Sequence, residues 1–270
     1  MSAPTVPLAV DAPPPAPPRR PPGRAALAVL AAAVVGFGAV DVLGDLTATR
    51  TESAEVFAGP VTALHVVGDT GDVRVTAADV TDVRVRTLVH SGWSQPGSSA
   101  ELTDGVVRLS SACSGGAWMS PCEVSWEVTV PQGLDLDLRT GTGDQSLDGG
   151  FGRVVSVAGT GDLHAAGADA DDLSAQTGTG DVELAGRYDA LRVRTGTGDV
   201  AADLRAAPGS VQVTTGTGDA TVRLPAAAEG YDATASSGTG DVTLDVPVNS
   251  TSERQVRVSA STGDATVLTR

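Results

Sequence analysis

Residues 195–199 read TGTGD, and the same five residues recur at 140–144, 177–181 and 215–219. The shorter motif Thr-Gly-Asp occurs eight times, and from Asp144 onward successive copies lie 18 to 23 residues apart. Self-similarity at this period is typical of a solenoid, in which each repeat forms one turn of a coil. The motif therefore predicts a corner that recurs in register along a stack.

Alternating apolar residues flank these corners. LRVR at 191–194 and VQVT at 211–214 precede a copy, and VEL at 182–184 follows one. Apolar residues two apart indicate strands with one buried face. We therefore predict an all-β fold: a single-stranded β-solenoid, or β-helix, which is right-handed if its connections follow the common crossover hand. An antiparallel β-sandwich is the alternative, since short strands joined by glycine turns also build it.

Two of the three residues that all eight corners share, the glycine and the aspartate, suggest a structural role. The second glycine position is typical of backbone that needs positive φ or has no room for a Cβ atom. The aspartate that follows it can hold a turn by accepting hydrogen bonds from backbone N–H groups. We expect structural roles for all of these corner residues, namely Gly71, Asp72, Gly143, Asp144, Gly161, Asp162, Gly180, Asp181, Gly198, Asp199, Gly218, Asp219, Gly240, Asp241, Gly263 and Asp264.

Stacked corners would place these aspartates in one column. Two unit charges about 4.8 Å apart repel by about 0.9 kcal/mol in water. Backbone donors, outward splay into water or bound cations must offset this repulsion. We favour backbone capping, with calcium as the alternative. No other cofactor and no metal site is predicted.

The composition excludes some classes of function. A net charge of −15 should repel nucleic acid. The three histidines, His65, His90 and His164, have no companion at metal-ligand spacing, and no G-x-S-x-G elbow is present. We therefore predict that the chain is not an enzyme. A carbohydrate-active β-helix enzyme is a weaker alternative, because the repeats hold only three aromatic residues for a sugar cleft, Phe151, Tyr188 and Tyr231.

The N-terminal part predicts a membrane anchor. Residues 1–24 are rich in proline and indicate a disordered cytoplasmic tail, and residues 25–43 form an apolar stretch long enough for one transmembrane helix. Three arginines lie on its N-terminal side, so the positive-inside tendency places the C-terminal part outside the cytoplasm. Residues 44–54 would then be a linker. The alternative is a signal that is cleaved, giving a secreted protein.

Residues 55–139 differ from the repeats at 140–270 and predict an N-terminal β region that caps the solenoid. Cys113 and Cys122 are the only cysteines and flank a glycine-containing loop. In an exported domain they should form a disulfide; metal binding and free thiols are the alternatives. We expect three tryptophans to cover the end of the coil, with a sugar-stacking platform as the alternative: Trp93, Trp118 and Trp126.

These features together resemble a known family. The TGTGDV and STGD corners, the opening EVFAGPVTALHVVGDTGDVRV and the segment CSGGAWMSPCEVSWEVTVPQG are similar to the bacterial DUF4097 family of candidate adhesins. The resemblance covers residues ~55–270 and implies a β-solenoid exposed at the cell surface. It carries no catalytic residues over to this chain.

The expected function follows from these inferences. We expect a membrane-anchored extracytoplasmic surface protein, an adhesin or a structural or envelope-binding module, whose partner is an unidentified envelope polymer or protein. An envelope-stress sensor that signals through the cytoplasmic tail is the alternative. The last strand would leave an open edge, so self-association through the C-terminal edge strand is a further expectation.

Overall fold

The computed structural model of the chain describes residues 49–92, 96–113 and 122–270. Within these ranges the chain is all-β, with 19 strands and no helix. The tail at 1–24 and the anchor at 25–43 lie outside the described residues, as do Trp93 and Trp118. Among the described residues, no helix has the length and hydropathy needed to cross a membrane.

The described strands form one open sheet that is folded into two faces, because the chain passes from one face to the other at each Thr-Gly-Asp corner. Face 1 contains the strand segments that precede the corners. In spatial order it consists of β5 (Gly97–Thr103), β6 (Val106–Ala112), β2 (Ala63–Thr70), β8 (Leu134–Thr142), the second half of β9 (Gln145–Thr160), the second half of β10 (Leu163–Thr179), β12 (Tyr188–Thr197), β14 (Ser210–Thr217), β18 (Gln255–Thr262) and β16 (Asp232–Thr239).

Face 2 contains the segments that follow the corners. Strands β9 and β10 contribute to both faces, since they continue around the return bend without a break. In spatial order face 2 consists of β1 (Thr49–Phe57), β4 (Val83–Ser91), β7 (Cys122–Pro131), β3 (Val73–Ala78), the first halves of β9 and β10, β11 (Val182–Gly186), β13 (Val200–Leu204), β15 (Ala220–Leu224), β19 (Ala265–Thr269) and β17 (Val242–Asp245).

Successive repeats pair in parallel and place equivalent residues side by side. Leu191 lies opposite Val211, and Thr195 of one TGTGD lies opposite Thr215 of the next. All pairings among β8–β19 are parallel. The repeats are therefore stacked as a β-solenoid-like coil, and this pairing is not that of the antiparallel sandwich that we considered as the alternative.

The core lies between the two faces and consists mainly of valine, leucine and alanine. Period-2 alternation in the strands puts these side chains inward, as in β12 and β14. Several polar side chains are also buried, and one of them is a glutamine. Gln145 is fully buried; its amide nitrogen donates to Thr140 Oγ1 at 2.9 Å, and its Oε1 accepts from Ser156 Oγ at 2.8 Å. Because both ends of the amide are paired, its burial does not leave an unsatisfied group.

The N-terminal region extends the same stack and then closes it. Strands β2 and β3 form the rung next to β8 and β9, and β6 and β7 form the terminal rung beyond them. Antiparallel strands then cover this end, with β5 on β6 and β4 followed by β1 on β7. Strand β1 begins at Thr49, so the linker predicted over 44–54 contributes its last residues to a strand. Its side chains lack a buried alternation, which is why the sequence did not indicate it.

The C-terminal end corrects one prediction. The last two strands of the chain are not at the edge: β18 and β19 lie between β14–β15 and β16–β17. The physical reason is the longer connections at 225–231 and 246–254. The first carries the chain past one rung position, and the second brings it back, where Gln255 N donates to Gly209 O at 3.0 Å. The open edge at this end of the coil therefore consists of β16 and β17, while β5 and β1 are the edge strands at the other end.

Candidate functional site

The corner aspartates form a hydrogen-bonded ladder. The Oδ1 atom of every corner aspartate except Asp241 accepts a hydrogen bond from the backbone N–H of the aspartate in the next rung, as from Asp199 to Asp181 at 2.7 Å. Seven such bonds of 2.7–2.9 Å join all eight aspartates in the order 72, 144, 162, 181, 199, 219, 264 and 241. At the closed end Ser125 takes the aspartate's place, because its Oγ accepts from Asp72 N at 3.0 Å. These carboxylates therefore cap backbone donors.

The second glycine of each corner has a φ between 121° and 146° in all eight copies. At Gly198 an added Cβ would also lie against the carbonyl oxygen of Gly180, far inside van der Waals contact. The position thus needs both positive φ and the absence of a side chain. Two independent steric reasons explain why glycine occurs there in every copy.

The first threonine of the motif faces inward and completes the corner. Thr195 and Thr215 are buried, and their hydroxyl groups donate to the carbonyl oxygens of Gly180 and Gly198 in the preceding rung, at 3.3 and 3.0 Å. Threonine, glycine and aspartate therefore all take part in joining one rung to the next. The recurring pentapeptide has a complete structural explanation that requires no ligand.

The other residues that the sequence singled out lie apart from one another. His65 is on face 1, where its Nδ1 is 3.5 Å from Arg108 Nη1, whereas His164 is on face 2, 3.6 Å from Glu183 Oε2. His90 lies on β4. In the described ranges no group of three or more histidine, cysteine, aspartate or glutamate side chains has the arrangement of a metal site.

The two cysteines are joined. Cys113 and Cys122 form a disulfide with a Cα–Cα distance of 5.9 Å, between the end of β6 and the start of β7. The backbone N–H of Cys113 also donates to Asp69 Oδ2 at 3.1 Å. Trp126 lies in the same rung, fully buried, with its ring against Gly68. The tryptophan thus fills the core beneath the antiparallel strands.

A groove on face 1 is the feature that the sequence reasoning missed. It has a volume of about 410 Å³ and crosses five rungs, from Arg153 on β9 to Arg257 on β18. Between these ends lie Ser174, Arg192 and Gln212, whose side chains project outward from β10, β12 and β14. The signal was present in LRVR at 191–194, where arginines alternate with buried apolar residues.

The charge of this groove differs from that of the chain. Two of its arginines are paired with aspartates: Arg153 with Asp172 at 3.7 Å and Arg257 with Asp232 at 2.6 Å. In contrast, Arg192 contacts only the neutral Gln212 side chain, at 3.3 Å, within the part of the chain that the structure describes. The groove is therefore a cationic site on a protein whose net charge is −15.

A second arginine without an ion pair among the described residues, Arg194, lies beside the groove next to Arg192. Arg194 follows Arg192 by two residues on β12, so both side chains project from the same face, roughly 6.6 Å apart along the strand. In the described ranges Arg194 has no ion pair. Two neighbouring guanidinium groups without carboxylate partners can therefore receive anionic oxygens from outside the protein.

Comparison with known proteins identifies the fold family. The family model described as Toastrack DUF4097 matches residues 134–268, which is half of the chain. This range contains seven of the eight Thr-Gly-Asp corners. No match was found among curated proteins.

Several solved structures are similar in fold. A candidate adhesin from Bacteroides fragilis is 15% identical, with 82% of this chain and 98% of that chain covered and a TM-score of 0.45. A candidate cell adhesion protein from Clostridium sporogenes is 14% identical, with coverage of 82% and 100% and a TM-score of 0.39. A candidate lipid-binding protein from Parabacteroides distasonis is 9% identical, with coverage of 82% and 97% and a TM-score of 0.45. Identities and scores this low support no inference about function.

Proposed function

Because the chain belongs to the Toastrack DUF4097 family, we propose that it is a membrane-anchored surface protein whose β-solenoid-like part binds components of the bacterial cell envelope without catalysing a reaction. The coil would be right-handed, with the N-terminal strands as its cap. The observation that carries the binding proposal is the cationic groove on face 1, since the repeated corners are already used to join the rungs.

Two features support the proposed location outside the cytoplasm. The disulfide between Cys113 and Cys122 is typical of oxidising compartments. The apolar stretch at 25–43 has the length of a membrane span, and three arginines precede it. A single-pass topology with a cytoplasmic N-terminus combines both features.

The open edge supports a proposal of self-association. Val242 and Leu244 lie opposite the fully buried Ala265 and Val267, so they occupy core positions, yet they are 49% and 38% exposed because no described rung follows them. Val248, in the connection that follows β17, is also exposed. A second copy presents the same two adjacent edges and the same apolar strip, so two copies can cover each other by pairing end to end around a twofold axis.

Surface labelling of intact bacteria tests the location. The full-length chain, with an epitope tag after Arg270, should be accessible to a membrane-impermeant reagent and should remain with the membrane fraction. A variant that lacks residues 25–43 should lose membrane association. Recovery of the intact wild-type chain from the cytosol, with its tag protected, would show that the proposed location is wrong.

Envelope binding is the second test. The detergent-solubilised full-length chain should retain envelope polymers from bacterial cell-wall preparations on an affinity resin. A tagged protein of similar size and net charge serves as the control. If the full-length chain retains no more envelope material than this control does, the proposed binding function is wrong.

A further inference from the structure

We propose that the groove on face 1 binds an acidic polysaccharide, with the unpaired arginines Arg192 and Arg194 receiving its anionic oxygens. This inference rests on the proposed envelope-binding function and names the class of polymer that the site accepts. It is carried by three features: the unpaired cations in and beside the groove, the polar side chains that line it and its extent along the coil.

The unpaired arginines define the charge that the ligand must carry. A guanidinium group presents a planar fork of N–H donors that matches a carboxylate or a phosphate. Arg192 and Arg194 are exposed on the same face of β12 and form no ion pair in the described ranges. Elsewhere on this face Arg139, Arg153 and Arg257 have aspartate partners. Arg108, on β6, contacts His65 and has no ion pair in the described ranges either, so Arg192 and Arg194 are distinguished by lying side by side on one strand.

The uncharged polar residues of the lining suit a hydroxyl-rich ligand. Ser174, Ser210, Gln212 and Gln255 line the groove around Arg192. Hydroxyl and amide groups both donate and accept hydrogen bonds, which suits the many hydroxyl groups of a sugar chain. The groove contains no aromatic residue. Recognition would therefore depend on hydrogen bonds and charge instead of ring stacking.

The shape of the site favours a polymer that lies across the strands. The groove extends over five rungs, and Arg192 on β12 is two rungs from Arg257 on β18, roughly 9.6 Å at the usual strand spacing. In this part of face 1 each strand is already paired on both sides. An added peptide strand therefore finds no free edge here, so an acidic peptide is disfavoured.

The net charge of the protein adds a further condition. At a net charge of −15, a polyanion is repelled at long range, so binding must come from short contacts within the groove. Moderate salt screens the long-range repulsion, while high salt weakens the guanidinium contacts. We therefore expect binding to persist at 0.15 M salt and to fall at 1 M salt.

The test uses the full-length chain in detergent and four immobilised probes. Polygalacturonate supplies carboxylates on a sugar chain, a phosphate-bearing mannan supplies phosphates, neutral dextran lacks charge and polyglutamate is an acidic peptide. The double variant Arg192→Gln/Arg194→Gln should bind the acidic polysaccharide about tenfold or more weakly. The matched control Arg74→Gln/Arg223→Gln makes the same change of net charge on face 2 and should bind as the wild type does.

The outcomes separate this inference from the proposed function. Binding of either acidic polysaccharide, lost in the groove variant alone, supports the inference, and the arm that binds identifies the anionic group. Equal loss in both double variants, or equally tight binding of polyglutamate or dextran, overturns it. If the groove variant retains cell-wall polymers as well as the wild type does, the inference is wrong while the envelope-binding function stands. Unchanged circular dichroism and an unchanged unfolding midpoint verify that each variant is folded.

Discussion

The two ends of the coil are built from the same kind of rung, but further strands cover the terminal rung at only one of them. At the closed end the rung formed by β6 and β7 is covered by antiparallel strands, crossed by a disulfide and filled by a buried tryptophan. At the open end the rung formed by β16 and β17 has no such cover among the described residues, and the core positions of β17 are exposed to solvent. A repeating sequence thus stabilises the interior, but each end needs residues that the repeat does not supply.

The largest difference between the ends should appear on truncating core side chains. Trp126→Ala removes a fully buried ring that packs against Gly68, and should lower the free energy of unfolding by about 3–5 kcal/mol. Val242→Ala at the open end removes a half-exposed side chain and should cost less than about 1 kcal/mol. Chemical denaturation of the full-length chain in detergent measures both. Equal losses at a concentration where the chain is monomeric would show that the open edge is not exposed in the single chain.

The disulfide should have the next largest effect. The double variant Cys113→Ser/Cys122→Ser opens a loop closed over a sequence separation of nine residues, and should lower the free energy of unfolding by about 2–3 kcal/mol. Reductant should lower the stability of the wild type by a similar amount and leave the double variant unchanged. If reductant has no effect on the wild type, the bridge does not stabilise the closed end.

Much of the interior could be predicted from the sequence because the residues that shape each rung lie within a single repeat. The second glycine of the corner admits no side chain, and the aspartate accepts a backbone hydrogen bond, so both recur with the structural period. Alternation in segments such as LRVR at 191–194 identifies the buried side of a strand. These are local properties, and a single rung is enough to reveal them.

The order of the rungs could not be predicted, for a physical reason. The rungs at 210–224, 232–245 and 255–269 present nearly the same backbone surface, so the repeat does not distinguish which two become neighbours. That choice depends on the connections, where Arg254 donates to the carbonyl oxygens of Ala207 and Pro208. Ser125 was missed for a related reason, because it takes the aspartate's place in a rung that lacks the motif.

The groove could not be inferred from any single repeat either. Its arginines and polar residues come from different strands and occupy outward positions, where the repeat imposes no constraint on the side chain. Only the register between β10, β12, β14 and β18 brings them together. The corner residues therefore determine the fold, whereas the outward-facing residues of face 1 form the candidate binding groove.

Removing an aspartate from the ladder should lower the free energy of unfolding more in an interior rung than at the open end, but by less than the changes above. Asp181→Ala removes the acceptor for Asp199 N and should cost about 1 kcal/mol, since water can replace part of the lost bond. Asp241→Ala should have almost no effect, because its Oδ1 accepts from no further rung in the described ranges. Chemical denaturation again provides the measurement.

Asparagine at the same position separates hydrogen bonding from charge. Asp181→Asn keeps an acceptor oxygen and removes one member of the column of like charges, so it should be neutral or slightly stabilising at low salt. Added calcium should leave the unfolding midpoint of the wild type unchanged if the ladder is held by backbone donors alone. If calcium raises the unfolding midpoint of the wild type but not that of Asp181→Asn, the column of aspartates is a cation site.

The open edge should have the smallest effect on stability and a distinct effect on assembly. Leu244→Lys places a charge in the exposed strip of β17, and should leave the free energy of unfolding of the monomer nearly unchanged while abolishing the end-to-end dimer. Leu102→Lys on β5 is a matched control, since Leu102 is 37% exposed and Leu244 is 38% exposed. Sedimentation velocity over a range of protein concentrations distinguishes them. A wild-type chain that stays monomeric at every concentration would refute self-association. Deleting residues 256–270 would be a poor substitute, because it removes most of the interior rung that supports β16 and β17.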